Sequence, residues 1–157
     1  MIQKNVKVIA LFLLMLSSIG SYAQKVGKIL VEQDFSKWSS LQSESISDDG
    51  KWSSYRLSYE YASDTLFVKQ TLGKALYAFP LAKFGNFIGS DRFACIDSES
   101  NLVITSLPDG KKISVPQVSK FTLLPERKMV LAESNTKEGK FISLLSMEGH
   151  SVWQQSN

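Results

Sequence analysis

The side chains able to do chemistry in this sequence are a histidine, a cysteine, a pair of adjacent acids and many serines. His150, the only histidine, sits in Glu148-Gly149-His150-Ser151. An imidazole activates a serine when a carboxylate orients its far nitrogen. His150 instead follows a glycine between two strand-like runs, so the simplest reading is an exposed hairpin residue. Catalysis would require a serine and an acid to meet it in space. Cys95, the only cysteine, lies inside the apolar run R-F-A-C-I-D. It has no partner for an internal disulfide. An apolar setting, with only Arg92 as a nearby cation in sequence, makes it a packing residue and not a reactive thiol. One His and one Cys fall short of the four ligands of a structural zinc. No metal site, cofactor site or catalytic residue is therefore assigned.

The paired acids are Asp48 and Asp49, in I-S-D-D-G-K-W, Ile46 to Trp52. Two carboxylates can serve as a general acid and base or hold a cation. Neighbours in one turn point apart, however, and no histidine or third acid accompanies them. Asp side chains cap local backbone and Gly50 accepts positive φ, so Asp48-Asp49-Gly50 predicts a tight turn. It should join a strand ending at Ser47 to one beginning near Trp52.

The elements around these residues are strands. After the first residues helical periodicity is nearly absent, and runs of Tyr, Phe, Val, Ile and Leu recur between Gly, Asp, Asn, Pro and Ser. The clearest are residues 54–59, 65–71, 75–79, 92–97, 102–107, 112–115, 128–132, 141–146 and 151–154. In the first, Tyr55, Leu57 and Tyr59 alternate with Ser54, Arg56 and Ser58, which gives one buried and one wet face.

The layout at Ile46 returns at Ile88 (I-G-S-D-R-F-A-C-I) and at Phe121 (F-T-L-L-P-E-R-K-M-V-L). Each copy has an apolar start, a polar turn, an apolar strand and then further strands. Repeats of roughly 40 to 45 residues with four strands are the mark of propeller blades. The expected fold is all-β: a partial β-propeller of about three four-stranded antiparallel blades over 46–157, open and not closed. Residues 24–45 are expected to be a lead-in segment. Closure takes about four to eight blades. The last blade should therefore present an unpaired edge and an uncovered apolar face, and the stop after W-Q-Q-S-N fits truncation at a blade boundary.

The leading residues point to export. Lys4 and Lys7 precede an uncharged apolar run, Val8 to Leu16, followed by Ser21-Tyr22-Ala23. This is the pattern of a secretory signal cleaved near Ala23. The run is well short of the roughly 20 residues of a membrane span. A periplasmic or extracellular product is expected, without a membrane anchor. The formal charge of +3 includes Lys4 and Lys7 and no acid precedes Gln24, so residues 24–157 carry 3 − 2 = +1. That balance gives no footing for nucleic acid or anionic lipid.

Aromatic residues offer one more chemistry. Trp38, Trp52, Tyr55, Tyr59, Tyr61, Phe67, Tyr77, Phe79, Phe84 and Phe87 could line a carbohydrate or peptide platform. Most sit at strand spacing, where packing between blades uses large flat side chains. Trp38 and Trp153 lie outside that alternation and are the candidates for exposed contacts. Phe84-Gly85-Asn86-Phe87 is expected to bridge consecutive blades.

The segments S-I-S-D-D-G-K-W-S-S-Y, S-D-T-L-F-V-K-Q-T, A-L-Y-A-F-P and S-N-L-V-I-T-S-L-P-D-G-K-K-I-S-V-P-Q-V-S-K-F carry a resemblance. With the preceding D-F-S-K-W-S-S-L, they resemble the amino-terminal propeller blades of secreted prolyl oligopeptidase family serine peptidases of Bacteroidetes type. The third copy departs from the pattern, since L-P-E-R-K lacks the glycine. The resemblance implies a propeller that gates or positions peptide substrate over an α/β-hydrolase domain carrying a Ser, Asp and His triad. The chain contains no G-x-S-x-G elbow, the strained turn such a nucleophile needs, so no triad residue carries over. The implied partners are the remainder of the propeller and a hydrolase domain, or a protein covering the open edge, with a peptide as possible ligand. The other reading is a self-standing periplasmic β-repeat protein that binds or scaffolds.

Overall fold

The computed structural model describes residue 29 and residues 31–137 and 139–156. The expected leader, 1–23, lies outside them. The chain divides into two units, 1–32 and 33–157, and only the second is described at any length. The described elements begin with one helical turn, α1 (Glu32–Phe35), after which every longer one is a strand.

Twelve strands are described, and they follow one another as three antiparallel meanders of four. The first sheet is β1 (Ser39–Ile46), β2 (Trp52–Tyr59), β3 (Thr65–Gln70) and β4 (Leu76–Pro80). The second is β5 (Lys83–Ile88), β6 (Arg92–Ile96), β7 (Leu102–Ser106) and β8 (Lys112–Val115). The third is β9 (Val118–Leu124), β10 (Met129–Thr136), β11 (Gly139–Ser146) and β12 (Ser151–Ser156). In each sheet the spatial order equals the chain order, and none closes into a barrel. This is the expected all-β architecture of open, propeller-like blades.

The sheets stack through two separate cores. Trp52, Leu66, Val68 and Phe79 of the first sheet meet Phe93, Cys95, Val103 and Leu107 of the second. The opposite face of the second sheet, with Ile88, Ala94, Ile96, Leu102 and Ile104, meets Val118, Phe121, Val130, Ala132 and Leu145 of the third. Consecutive residues of a strand point to opposite faces, so Phe93-Ala94-Cys95-Ile96 can feed both cores in turn. A strand covered on both sides must be apolar throughout, and β6 and β7 are buried along almost their whole length. The outer sheets each bury a single face, which restores the alternation seen in β2 and β10.

Packing across the first interface is tight at Gly85. A β-carbon there would lie 2.6 Å from Leu66 Cδ2 and 2.6 Å from Phe93 Cζ, so only glycine lets β5 approach this closely. Phe93 also sits 5.8 Å from Phe79 and 5.0 Å, edge to face, from Phe87. Arg56 pairs with Glu44 at 2.8 Å and donates through Nη1 to the Ala82 carbonyl at 2.7 Å, which ties β1 and β2 to the link between the first two sheets. Tyr77 donates its hydroxyl to the Leu107 carbonyl at 2.6 Å, crossing the same interface near its other end. One polar atom in this packing, Thr105 Oγ1, is buried with no hydrogen-bond partner among the described residues.

Several local expectations are refined. Ser39 to Ser45, expected within a lead-in, belong to β1. Phe84-Gly85-Asn86-Phe87 does not bridge two sheets but lies inside β5, with a register shift between Lys83 and Asn86. The link between the first two sheets is only Leu81-Ala82. Phe84 takes φ 54° and Leu81 φ 55°, so the irregular entry to β5 is made with bulky residues in the left-handed region. The glycine-free third turn is a single 3-10 turn, Pro125–Arg127, closed by Lys128 at φ 50°. Lysine thus occupies the conformation that Gly50 and Gly89 hold in the other copies.

Candidate functional site

The three repeat turns form one rim of the molecule. Asp48 from the β1–β2 turn, Gly89 and Asp91 from the β5–β6 turn, and Pro125 and Lys128 from the β9–β10 turn line a cleft of about 490 Å³, together with Ile88, Arg92, Met147 and Glu148. Each residue is placed by a hairpin that the repeat pattern specifies. Arg92 is held in place: Nη1 donates to the Met147 carbonyl at 2.8 Å and Nη2 lies 3.6 Å from Glu148. Lys128 adds a second positive charge to the lining, and Asp48, Asp91 and Glu148 add negative ones. A cleft with separated charges of both signs suits a polar or zwitterionic chain, such as a peptide. It offers no nucleophile paired with a base.

The turn acids work on backbone. Asp49 Oδ1 accepts from the Lys51 amide at 3.1 Å and the Ser47 hydroxyl at 2.9 Å, and its other oxygen lies 2.9 Å from Lys51 Nζ. Hydrogen bonding from the Lys51 side chain and amide brings its carboxyl down to about 2. Asp109 repeats the arrangement at the β7–β8 turn, where a hydrogen bond from Ser106 leads the lowering and the Lys111 amide adds to it. At the β11–β12 turn the Glu148 amide donates to the Ser146 hydroxyl at 3.2 Å, and the Glu148 carboxyl is also lowered, with hydrogen bonding from Ser146 foremost. Asp97 accepts from the amides of Glu99 and Asn101 at 2.9 and 2.8 Å. Among the described residues the turn reading of Asp48-Asp49-Gly50 describes a device used three times, at Asp49, Asp97 and Asp109, and Asp49, not Asp48, is the capping residue.

Cys95 is fully buried. Desolvation, with Asp97 second, pushes its thiol up to about 12, so it is unreactive at neutral pH. His150 is exposed in the β11–β12 turn, where its carbonyl accepts from the Ser146 amide at 2.9 Å. Its ring makes no hydrogen bond among the described residues. Among the described residues no three His, Cys, Asp or Glu side chains converge in a way that could hold a metal ion.

The aromatics divide between core and surface. Trp52, Phe79 and Phe93 are core. Trp38 and Trp153 are 45% and 47% exposed, as expected, with Trp38 packed edge-on to Phe35 at 4.8 Å. Sequence reasoning missed the outer face of the first sheet. Tyr55 and Phe67 stack there at 5.4 Å, and the pairing of Leu41 with Leu57 and of Lys69 with Leu76 puts both leucine positions on the same side. Leu41 and Leu76 are 66% and 52% exposed. The third sheet repeats this on its own outer side, where Leu131 pairs with Leu144 and Leu144 with Trp153. The alternation in β2 predicts that the side carrying Tyr55, Leu57 and Tyr59 is the buried one; the covered side instead carries Trp52 and Ser54, and the apolar set faces out.

No known protein family, curated protein or solved structure matches the chain.

Proposed function

We propose that this chain is the noncatalytic amino-terminal propeller portion of a secreted prolyl oligopeptidase-like serine peptidase, which gates or positions peptide substrate in the complete enzyme. The observation that carries the reading is the row of three consecutive four-stranded meanders, stacked face to face and uncovered at both ends. Further blades would cover those end faces as the second sheet covers its neighbours. The segments that resemble the peptidase blades lie on the β1–β2 hairpin, on β3 and β4, and on the run from β7 into β9. The rim cleft with Arg92, Lys128, Asp48 and Asp91 is the surface that would meet a peptide. The hydrolytic step belongs to another domain, because the chain supplies no serine elbow. The product would act in the periplasm or outside the cell.

Two measurements test this reading. Sequencing the gene beyond the codon for Asn157 should reveal an open frame encoding more blades and a G-x-S-x-G segment. Treatment of the exported chain with a serine-directed fluorophosphonate should label nothing. A labelled serine in this chain removes the noncatalytic assignment.

A second reading, a self-standing β-repeat binding or scaffold protein, has one observation of its own. Both internal cores are complete within residues 52–147, so the three-sheet stack has the buried apolar content to stand without the rest of an enzyme. Purification of the exported chain as a folded species with a ligand of its own favours this alternative.

A further inference from the structure

The two uncovered faces lie at opposite ends of the stack and differ in composition. The outer side of the first sheet carries Leu41, Tyr55, Leu57, Phe67 and Leu76. The outer side of the third carries Met129, Leu131, Ile142, Leu144 and Trp153. From the second sheet toward the first, or toward the third, each internal interface has the same form: one apolar four-stranded face on another. Uncovered faces of this kind seek a partner.

We propose that the partner is a second copy of this chain, and that two copies close into a six-sheet ring. In that ring the first-sheet face of each copy packs on the third-sheet face of the other. The contact is heterologous, and a heterologous contact either closes or runs on as a fibre. Two arcs of three sheets give six, inside the range of about four to eight that closes a propeller.

The area is sufficient. Four strands about 4.8 Å apart and about six residues long at ~3.3 Å each make a face of roughly 380 Å². A ring seals four such faces, roughly 1,500 Å² in all, which is the size of a standard stable protein interface of about 1,200–2,000 Å². The assembly describes what the chain does when no further blades are in reach, and does not depend on the peptidase reading.

The test uses the full chain and two face-specific variants. Light scattering after gel filtration should give the wild type twice the protomer mass. Leu57→Glu blocks the first-sheet face and Leu144→Glu the third-sheet face. Both sites are outward-facing and only partly buried, and circular dichroism checks that each variant keeps its sheets. Each variant alone should be monomeric, because every interface in the ring needs one face of each kind. An equimolar mixture keeps one intact pair of faces, roughly 760 Å², and should show a weaker dimer that appears only as concentration rises, while each variant alone stays monomeric at the same concentrations. A monomeric wild type overturns the proposal, as does an open-ended polymer. A single variant that still dimerises as a folded protein overturns it too, since it would show like faces meeting. If either variant unfolds, Leu41→Glu and Trp153→Glu, at more exposed positions of the same faces, take their place.

Discussion

Adding one methyl group at Gly85 should cost stability through a neighbour on another sheet. The new β-carbon would sit 2.6 Å from both Leu66 Cδ2, on β3, and Phe93 Cζ, on β6. Both side chains are fully buried, so neither has open space into which to retreat. Overpacking of this kind costs about 1–3 kcal/mol. The backbone at Gly85 does not occupy the left-handed region, so alanine also brings the ordinary gain of about 0.4–1 kcal/mol from a less flexible unfolded chain. Taking the middle of each range, about 2 less about 0.7, the net expectation for Gly85→Ala is a loss of about 1.3 kcal/mol. It would be read as a lower urea midpoint with an unchanged slope. Because half of the clash is with Leu66, the same change in a Leu66→Ala background should cost less, with a coupling of at least about 0.5 kcal/mol. A neutral or stabilising Gly85→Ala, or an identical cost in both backgrounds, would refute the packing of the first sheet on the second.

Three further outcomes follow from the side-chain chemistry. The carboxyls of Asp49, Asp109 and Glu148 are all lowered in the folded chain. Their contribution is therefore complete above the ordinary carboxylate range and is lost as the pH falls through the lowered values, toward about 2 for Asp49. Melting temperature should drop over that acid window, and the drop should flatten in an Asp49→Asn/Asp109→Asn/Glu148→Gln variant; an unchanged profile argues against the lowering of the three carboxyls. Cys95 should resist a thiol reagent at pH 8 in the native protein and react at once in denaturant; rapid native labelling would place it outside the core. Thr105→Val removes a buried hydroxyl with no partner among the described residues and should raise stability by about 1 kcal/mol in denaturant melts, whereas a loss would reveal a partner for Oγ1.

How much of this was legible in the sequence depends on where each strand sits. β2, β3, β6, β7 and β8 announce themselves because apolar alternation or a continuous apolar run is bounded by Asp, Gly and Asn turns. The first strand of each sheet was weaker. β1, S-S-L-Q-S-E-S-I, is exposed along nearly its whole length, so it lacks the hydrophobic pattern that burial imposes. β5 carries Gly85 and Asn86 and an irregular register, and those residues read as a link. β9 is visible only from Phe121 onward, because Ser119 and Lys120 face solvent. The repeat starts at Ile46 and Ile88 accordingly fall on the last residues of β1 and β5, while Phe121 falls inside β9.

The rim cleft was not legible at all. Asp48, Asp91 and Lys128 are far apart in sequence, and each reads locally as a turn residue. Only the stacking of the three hairpins brings them to one surface. The lone histidine and cysteine were correctly placed in a turn and in the core because their immediate neighbours, Gly149 and the run Phe93 to Ile96, decide their surroundings. The alternation of Tyr55, Leu57 and Tyr59 pointed to the wrong side of β2 as the covered one, because the inner side is anchored by Trp52 alone among small or polar residues.

The account stands on a stack of three sheets whose inner interfaces are sealed and whose outer faces are open. Hydroxyl-radical footprinting of the chain, dilute enough to be monomeric, tests this directly. Leu41, Leu57, Leu144 and Trp153 should be heavily modified, while Phe93, Ile104 and Val130 should be untouched until the chain is denatured. Modification of Phe93 and Ile104 in the native monomer, with Leu57 and Leu144 protected, would contradict it.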